Sequence, residues 1–437
     1  MKVLVLGGGP TGEHFVGALR RFDEDAELTL VESRLVGGEC SYYACMPTKT
    51  MLRATELAAS LGRAPGLQAE RPDPDGVWSW RDWMTSDWDD AGQLKWLESQ
   101  RCAFVRGEAR VARPGVVEVD GQELAYDKLV VSTGSRPAIP PVEGLDGVEY
   151  WTNRDATRTH EVPSSLAVLG GGPVGSELAQ FFSRMGSKVT IIEHGSHLLG
   201  RVHEDAGSLV ADCFREDGID VRTGVAVTRV EPGVKLTLDD GSTVEAERLL
   251  VATGRRPNVE GLGLEQLGVT VGRRGVEVDE RLRAADDVWA IGDVNGVALF
   301  THVGKYQARV AAADMCGREA KADYRAIPAG IFTDPEVGTV GSTEGTSVRL
   351  DLTAATSRIW TYERPERPGF VRLFADPKRR VLVGAVIVGP QATEWLGQLT
   401  LAVRSETPID VLLDTIQPFP TFSEGIFFTL QELAAAL

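Results

Sequence analysis

An α/β fold with two dinucleotide-binding βαβ units and a C-terminal α+β part is what three stretches of this sequence predict. KVLVLGGGPTGEHFVGALRRF (Lys2 to Phe22) reads as a short apolar strand, a turn with Gly7, Gly9 and Gly12, and a helix; AELTLV (Ala26 to Val31) then forms a strand ending at Glu32. SLAVLGGGPVGSELAQFFSRMG (Ser165 to Gly186), followed by KVTIIE, repeats the pattern with Gly170, Gly172, Gly175 and Glu193. GFVRLFADPKRRVLVGAVIVG (Gly369 to Gly389) alternates apolar and polar residues at the period of strands, which places a sheet in the last part of the chain.

A strand, a G-x-G-x-x-G turn, a helix and a second strand ending in an acid is the Rossmann-like fingerprint. The first glycine permits the tight turn, and the second lets a pyrophosphate approach the backbone. The third lets helix and strand pack closely, while the helix N-terminus offers free N–H groups and partial positive charge. A single copy is often no more than a tight strand-to-helix turn. Two copies, each in its βαβ context, predict two bound dinucleotides. Glu32 and Glu193 stand where a carboxylate accepts bonds from ribose hydroxyls. Glu193 suits a free 2′-hydroxyl and repels a 2′-phosphate, so NAD(H) is expected over NADP(H), a preference that nearby His194, His197 and Arg201 would soften.

Further strands end in LVVSTGSRP, with Thr133 and Gly134, and in LLVATGRRPN, with Gly254; each reads as a point where the chain returns to its dinucleotide. VWAIGDV puts Asp293 just past a buried strand, a natural place to hold a sugar-alcohol hydroxyl, or simply to cap the next turn.

At 437 residues the chain exceeds one ordinary core, and several domains are expected. Its net charge of −17 argues against nucleic acid or anionic membrane surfaces as partners. No apolar run reaches the roughly 20 residues of a membrane span, and MKVLVLGGGP enters a strand with no signal-peptide pattern, so a cytoplasmic location is expected. There thiols are kept reduced, and five cysteines do not make a disulfide framework.

Two of those cysteines, Cys40 and Cys45, lie close together in GGECSYYACMPTK. They admit four readings: structural bridge, metal ligands, redox pair, or two unrelated thiols. A zinc site needs four ligands, and no second Cys or His pair of suitable spacing accompanies them, so no metal is expected. A bridge over so short a loop would contribute only about 2 kcal/mol. Cys45 opens a helical stretch with Pro47 in its first turn, where the helix dipole favours a thiolate.

Together with FTDPEVGTVGSTE (Phe332 to Glu344) and PFPTFSE (Pro418 to Glu424), these motifs resemble, in order and over nearly the whole chain, the pyridine nucleotide–disulfide oxidoreductases, which include dihydrolipoamide dehydrogenase, glutathione reductase and mercuric reductase. The resemblance implies two Rossmann-like dinucleotide-binding domains, for FAD and NAD, plus a C-terminal α+β dimerisation domain in a homodimer. The implied boundaries are 1–146 and 279–324 for FAD, 147–278 for NAD(P), and 325–437 for the dimerisation domain. It also implies that Cys45 faces the flavin and Cys40 faces the acceptor, that Lys49 and Glu177 form a buried ion pair beside the flavin, and that His302 packs by it. Electrons would pass from NADH through FAD to the Cys40–Cys45 disulfide and then outward.

One stretch departs from the pattern. Family members resemble H-x-H-P-T-x-S-E near the C-terminus, the second His being the acid–base catalyst oriented by the Glu. Here QPFPTFSE puts Gln417 and Phe419 in place of the two imidazoles and leaves Glu424 with nothing to orient. General acid–base catalysis typically contributes about 10²–10⁴-fold, so ordinary disulfide reduction should be slow. Three readings remain. An enzyme could reduce a quinone-like acceptor or a metal ion, with Tyr42, Tyr43 and Phe419 lining an apolar approach. It could reduce or oxidise a specific thiol or disulfide metabolite that supplies its own acid or base. Or a non-enzymatic flavoprotein could report redox poise. Mercuric reductase proper is disfavoured, since no cysteine pair precedes the first strand or follows QELAAAL. Cys102, Cys213 and Cys316 read as small core residues. The segment Trp78 to Glu98 holds five of nine tryptophans and is expected to pack at the dimer interface.

Overall fold

The computed structural model describes residues 1–68, 71–362 and 368–437. The elements that matter for the site are β1 (Lys2–Leu6), α1 (Pro10–Phe22), β2 (Glu27–Glu32), α2 (Gly38–Tyr42), α3 (Cys45–Arg63), β3 (Ser165–Leu169), α4 (Pro173–Met185), β4 (Lys188–Glu193) and α5 (Thr301–Met315). The chain forms two compact units.

The first unit comprises Met1–Pro47, Arg81–Ala138 and Arg255–Asp323. Its six-stranded sheet runs Arg283–Ala285, Val288–Ala290, Lys128–Val131, β1, β2, Cys102–Arg106. β1 lies between β2 and Lys128–Val131 and is parallel to both, as a βαβ crossover requires. Buried on both faces, β1 is almost continuously apolar, which is why KVLVL reads as a run and not as an alternation. α1 covers one face through Phe15, Val16 and Leu19 and packs beside α5 in the same core. A short antiparallel pair, Ser135–Pro137 with Arg255–Pro257, joins the STGSRP and TGRRPN turns.

The second unit comprises Thr48–Trp80, Ile139–Gly254 and Tyr324–Leu437. Its parallel sheet is ordered Asp220–Thr223, β4, β3, Arg248–Val251, with α4 burying Phe181 and Phe182. A five-stranded antiparallel sheet, ordered Pro328–Ile331, Glu336–Gly341, Val381–Gly389, Phe370–Asp376, Thr346–Asp351, contains the two strands expected in the alternating stretch. Helices Ala392–Ser405 and Ser423–Ala436 pack on that sheet. No helix among the described residues is long and apolar enough to cross a membrane.

The tryptophan-rich segment departs from its expected role at two positions. Trp78 is buried in the core of the second unit, edge-on to Phe181 at 5.7 Å. Trp88 donates from Nε1 to the Tyr42 carbonyl at 3.0 Å. Both are thus committed within the chain, whereas Trp80 and Trp83 remain exposed. Of the other cysteines, Cys102 and Cys213 lie in the core as expected, and Cys316 packs against it.

Candidate functional site

The first fingerprint builds a cradle. Gly7 adopts φ +103°, and a Cβ there would fall 2.3 Å from the Ser132 carbonyl oxygen. A Cβ on Gly12 would fall 2.1 Å from the Gly7 carbonyl, so only glycine lets α1 approach β1 this closely. Gly9 is the N-cap of α1 with no side-chain cap, and the space above it is open to 4.0 Å. Glu32 accepts from Gly8 N at 2.8 Å and from Arg34 N at 2.7 Å, which braces the glycine loop.

The second unit repeats this arrangement. Gly170 has φ +106°, a Cβ on Gly175 would sit 1.9 Å from the Gly170 carbonyl, and Gly172 is an uncapped, open N-cap of α4. Glu193 accepts from Gly171 N and Gly195 N, both at 2.6 Å. An open helix N-terminus, a backbone that only glycine permits and a braced acid at the next strand end fit a dinucleotide pyrophosphate in both units.

Asp293 is half-buried just past Val288–Ala290. Burial pushes its carboxyl above the usual range, while the Ser135 hydroxyl, donating at 2.5 Å, and the Arg255 charge pull it back. Arg255 holds Ser135 through Nε at 2.7 Å and pairs with Glu39 at 3.5 Å, the residue before Cys40. Thr133 and Gly134 are fastened to Asn258: Thr133 Oγ1 donates to its carbonyl at 2.7 Å, and Asn258 N donates to Gly134 O at 2.9 Å. Gly254 turns at φ +123° after the Arg248–Val251 strand of the second unit. His302 is exposed near the start of α5, stacked on Phe300 at 5.1 Å.

The cysteines lie at the junction of α2 and α3, Cys40 inside α2 and Cys45 as the first residue of α3. Cys45 Sγ lies 3.7 Å from Thr301 Oγ1 at the start of α5. The hydrogen bond with Cys45, then burial, push the Cys40 thiol well above the ordinary range, while Thr301 and the Lys305 charge draw it down. A neutral Cys40 beside a hydrogen-bonded Cys45 is a dithiol that must lose a proton before Cys40 can attack. The turn is held from behind by Trp88 and by Asp90, which accepts from Val36 N at 2.8 Å.

In the second unit Lys49 Nζ meets Glu177 Oε2 at 2.6 Å. Glu177 is 3% exposed, and its other oxygen accepts from Phe332 N at 2.9 Å. Lys49 Nζ sits 4.8 Å over the Phe332 ring. Glu424, also buried, accepts from Thr421 N at 3.2 Å and lies 3.5 Å from Thr356 Oγ1, so it ties a turn where no imidazole stands. Phe419 is 75% exposed.

One expectation about the aromatic residues is corrected. Tyr42 is 1% exposed and donates to the Asp89 carbonyl at 3.3 Å, so it backs the dithiol turn and does not line an approach. Tyr43 is half-buried, tilted against it at 6.3 Å. Asp90, Arg255, Thr301 and Phe332 were not singled out from the sequence, and Trp88 entered only as one of the tryptophans of its segment. Arg255 and Phe332 lie in quoted motifs, but nothing in their types marks them as holding a serine or bracing a carboxylate.

Comparison with known proteins gives a consistent picture. The model for the pyridine nucleotide-disulphide oxidoreductases matches residues 1–316, and that of their dimerisation domain matches residues 327–427. The chain is 33% identical to dihydrolipoyl dehydrogenase 2 of Haloarcula marismortui, covering 100% of this chain and 96% of that one. It is 31% identical to a mercuric reductase of Staphylococcus aureus, covering 97% of this chain and 81% of that one. Among solved structures, LpdA from Mycobacterium tuberculosis superposes with a TM-score of 0.88 at 26% identity, covering 99% of each chain. The HOCl-induced flavoprotein disulfide reductase RclA from Escherichia coli shares the fold, with a TM-score of 0.85 at 24% identity over 100% of each chain.

Proposed function

From the premise that this chain belongs to the FAD-dependent pyridine nucleotide-disulphide oxidoreductases, we propose that it reduces a small-molecule acceptor through a redox-active Cys40–Cys45 pair, using NAD(H) in preference to NADP(H). FAD, when bound, supplies the two-electron carrier between nicotinamide and disulfide. We assign FAD to 1–146 and 279–324, NAD(P) to 147–278, and the dimer interface to 325–437. The first cradle with Glu32, Thr133, Gly134, Asp293 and His302 would hold FAD. The second cradle with Glu193 and Gly254 would hold the nicotinamide dinucleotide. The braced Glu193 favours NAD(H), since a 2′-phosphate there would meet a carboxylate whose oxygens are already fixed.

The observation that carries this reading is the dithiol turn: two thiols in hydrogen-bonding contact, one at the first residue of a helix and against a hydroxyl, the other held neutral. Cys45, at the first residue of α3 where the helix dipole favours a thiolate, would face the flavin, and Cys40 would meet the acceptor. Lys49, steadied by Glu177, supplies a fixed positive charge. Glu424 braces the turn that carries Phe419, and the family's imidazole acid–base group has no counterpart at that position.

For the acceptor, a quinone-like molecule suits the exposed Phe419. A specific thiol or disulfide metabolite that supplies its own acid or base is the second reading, favoured by the contact of the two thiols in one turn, with Cys40 needing to lose a proton before it attacks. Turnover of Cys40→Ser with quinones, lipoamide and glutathione-type disulfides separates them. The disulfide reading expects disulfide turnover to vanish with flavin reduction retained. Full quinone activity in Cys40→Ser would mean that electrons leave without passing through the dithiol. Phe419→His should raise disulfide reduction if the missing proton donor limits it.

A further inference from the structure

The Lys49 side chain is one-third exposed while that of Glu177 is buried, so the place of the ammonium depends on what holds the carboxylate. Residues 332–334, between the strands Pro328–Ile331 and Glu336–Gly341, do this. Phe332 N donates to Glu177 Oε1 at 2.9 Å, and the Phe332 ring lies 4.8 Å from Lys49 Nζ, so one residue touches both members of the pair. Two residues on, Asp334 is fastened to two helices. Its N donates to Gln180 Oε1 at 2.7 Å, and its carbonyl accepts from Gln180 Nε2 at 2.8 Å. Its Oδ2 accepts from Arg184 Nη2 at 2.6 Å and pairs with Arg63 Nη1 at 3.0 Å. Glu177, Gln180 and Arg184 stand at i, i+3 and i+7, which is one face of α4. Lys49 and Arg63 stand near the two ends of α3. The segment is thus a clasp between the helix that begins at the second glycine cradle and the helix that carries Lys49.

Gln180 is fully buried, and the side chains of Arg63, Arg184 and Asp334 are largely so. Taking two guanidiniums and a carboxylate out of water is costly, and apolar side chains of similar volume would hold two helices at least as firmly. An ionic clasp adds direction: charge-assisted bonds to one carboxylate oxygen fix two helices against a single backbone segment. Removing that carboxylate leaves two like charges facing each other. Arg184 retains only a looser partner, Asp217, at 3.8 Å. The backbone that carries Phe332 N, and with it Glu177, would then no longer be pinned.

We propose that Asp334 is a positioning residue for electron transfer: through Phe332 and Glu177 it sets the place of the Lys49 ammonium, and so how strongly that charge favours the reduced flavin. This rests on the reading of Lys49 as the fixed positive charge beside the flavin. The sign of the effect separates this role from plain electrostatics. Loss of an acid, by charge alone, leaves the surroundings more positive and raises the flavin potential. Loss of the clasp lets Lys49 drift from where negative charge develops, and the potential falls.

The test uses FAD-loaded enzyme on a Cys40→Ser background, where no disulfide competes for electrons. It reads the flavin midpoint potential by dye equilibration and the rate of flavin reduction by NADH. Asp334→Asn and the charge-neutral Gln180→Met should both lower the potential. Both should slow reduction at saturating NADH about tenfold, with the Kd for NADH unchanged. Lys49→Met should lower the potential as well, and adding Asp334→Asn to it should lower it no further, since Asp334 acts through the ammonium. A potential raised or unchanged in both Asp334→Asn and Gln180→Met, or additive shifts in the double variant, would overturn the positioning role and leave the reading of Lys49 intact. A loss confined to the Kd for NADH would overturn it too, by placing the clasp in nucleotide binding. No shift in Lys49→Met would overturn both together.

Discussion

Glu13 is a carboxyl that burial pushes up to about 7. Its folded carboxyl is raised from 4.5 to about 7, so the folded state binds a proton that the unfolded chain releases between those values. The stabilisation is fully present below about pH 4.5 and is lost as pH rises through 7. Thermal melts of Glu13→Gln should therefore show a Tm that falls less between pH 5 and 8 than the parent's; parallel profiles would contradict the assignment. At the Lys49–Glu177 pair, Lys49→Met leaves a carboxylate buried without its partner. Breaking a buried pair costs about 3–5 kcal/mol, and the one-third exposure of Lys49 places this loss toward the low end. Urea unfolding measures it. Lys49 and Glu177 were legible because each lies inside a recognisable motif. The burial of Tyr42 was not, because one tyrosine in a five-residue helix gives no periodicity from which to read its face.

At the scale of elements, the two βαβ units were the most legible part of the chain. The reason is steric: a Cβ on Gly12 or Gly175 would strike a backbone carbonyl, and backbone cannot swing aside. Gly12→Ala should purify with FAD depleted. Gly175→Ala should purify yellow but fail to be reduced by NADH, which visible absorbance before and after NADH distinguishes. The junction of α2 and α3 was less legible. Its geometry depends on Trp88 and Asp90, some forty to fifty residues downstream, and short-range patterns carry no trace of such contacts. The tryptophans resist a helical reading for the same reason. Trp78 packs in the core of the second unit while Trp88 is half-buried and donates to the Tyr42 carbonyl, with a 3₁₀ turn at Ser86–Trp88 between the helices that flank it.

For the whole molecule, the dimerisation domain presents Ile416 at 95% exposure and Leu401 at 68%, together with Phe419. Large aliphatic side chains so open to water mark surfaces that a partner covers. Ile416→Asp should shift the protein from dimer to monomer in light scattering without lowering the melting temperature of the parallel-sheet units. An unshifted dimer would place the interface elsewhere. The family, the two dinucleotide folds and the dimerisation domain were all readable as motifs in order. The acceptor was not: no motif of the chain marks it, and Phe419 stands where the family pattern has an imidazole.

In the proposed function, electrons from the nicotinamide come to rest on Cys40 and Cys45. Anaerobic titration of the FAD-loaded enzyme with NADH tests it most directly. Uptake of four electrons per FAD is expected, two on the flavin and two on the disulfide, with a long-wavelength thiolate–flavin band at the two-electron stage. Uptake of only two electrons, with no such band, would contradict it.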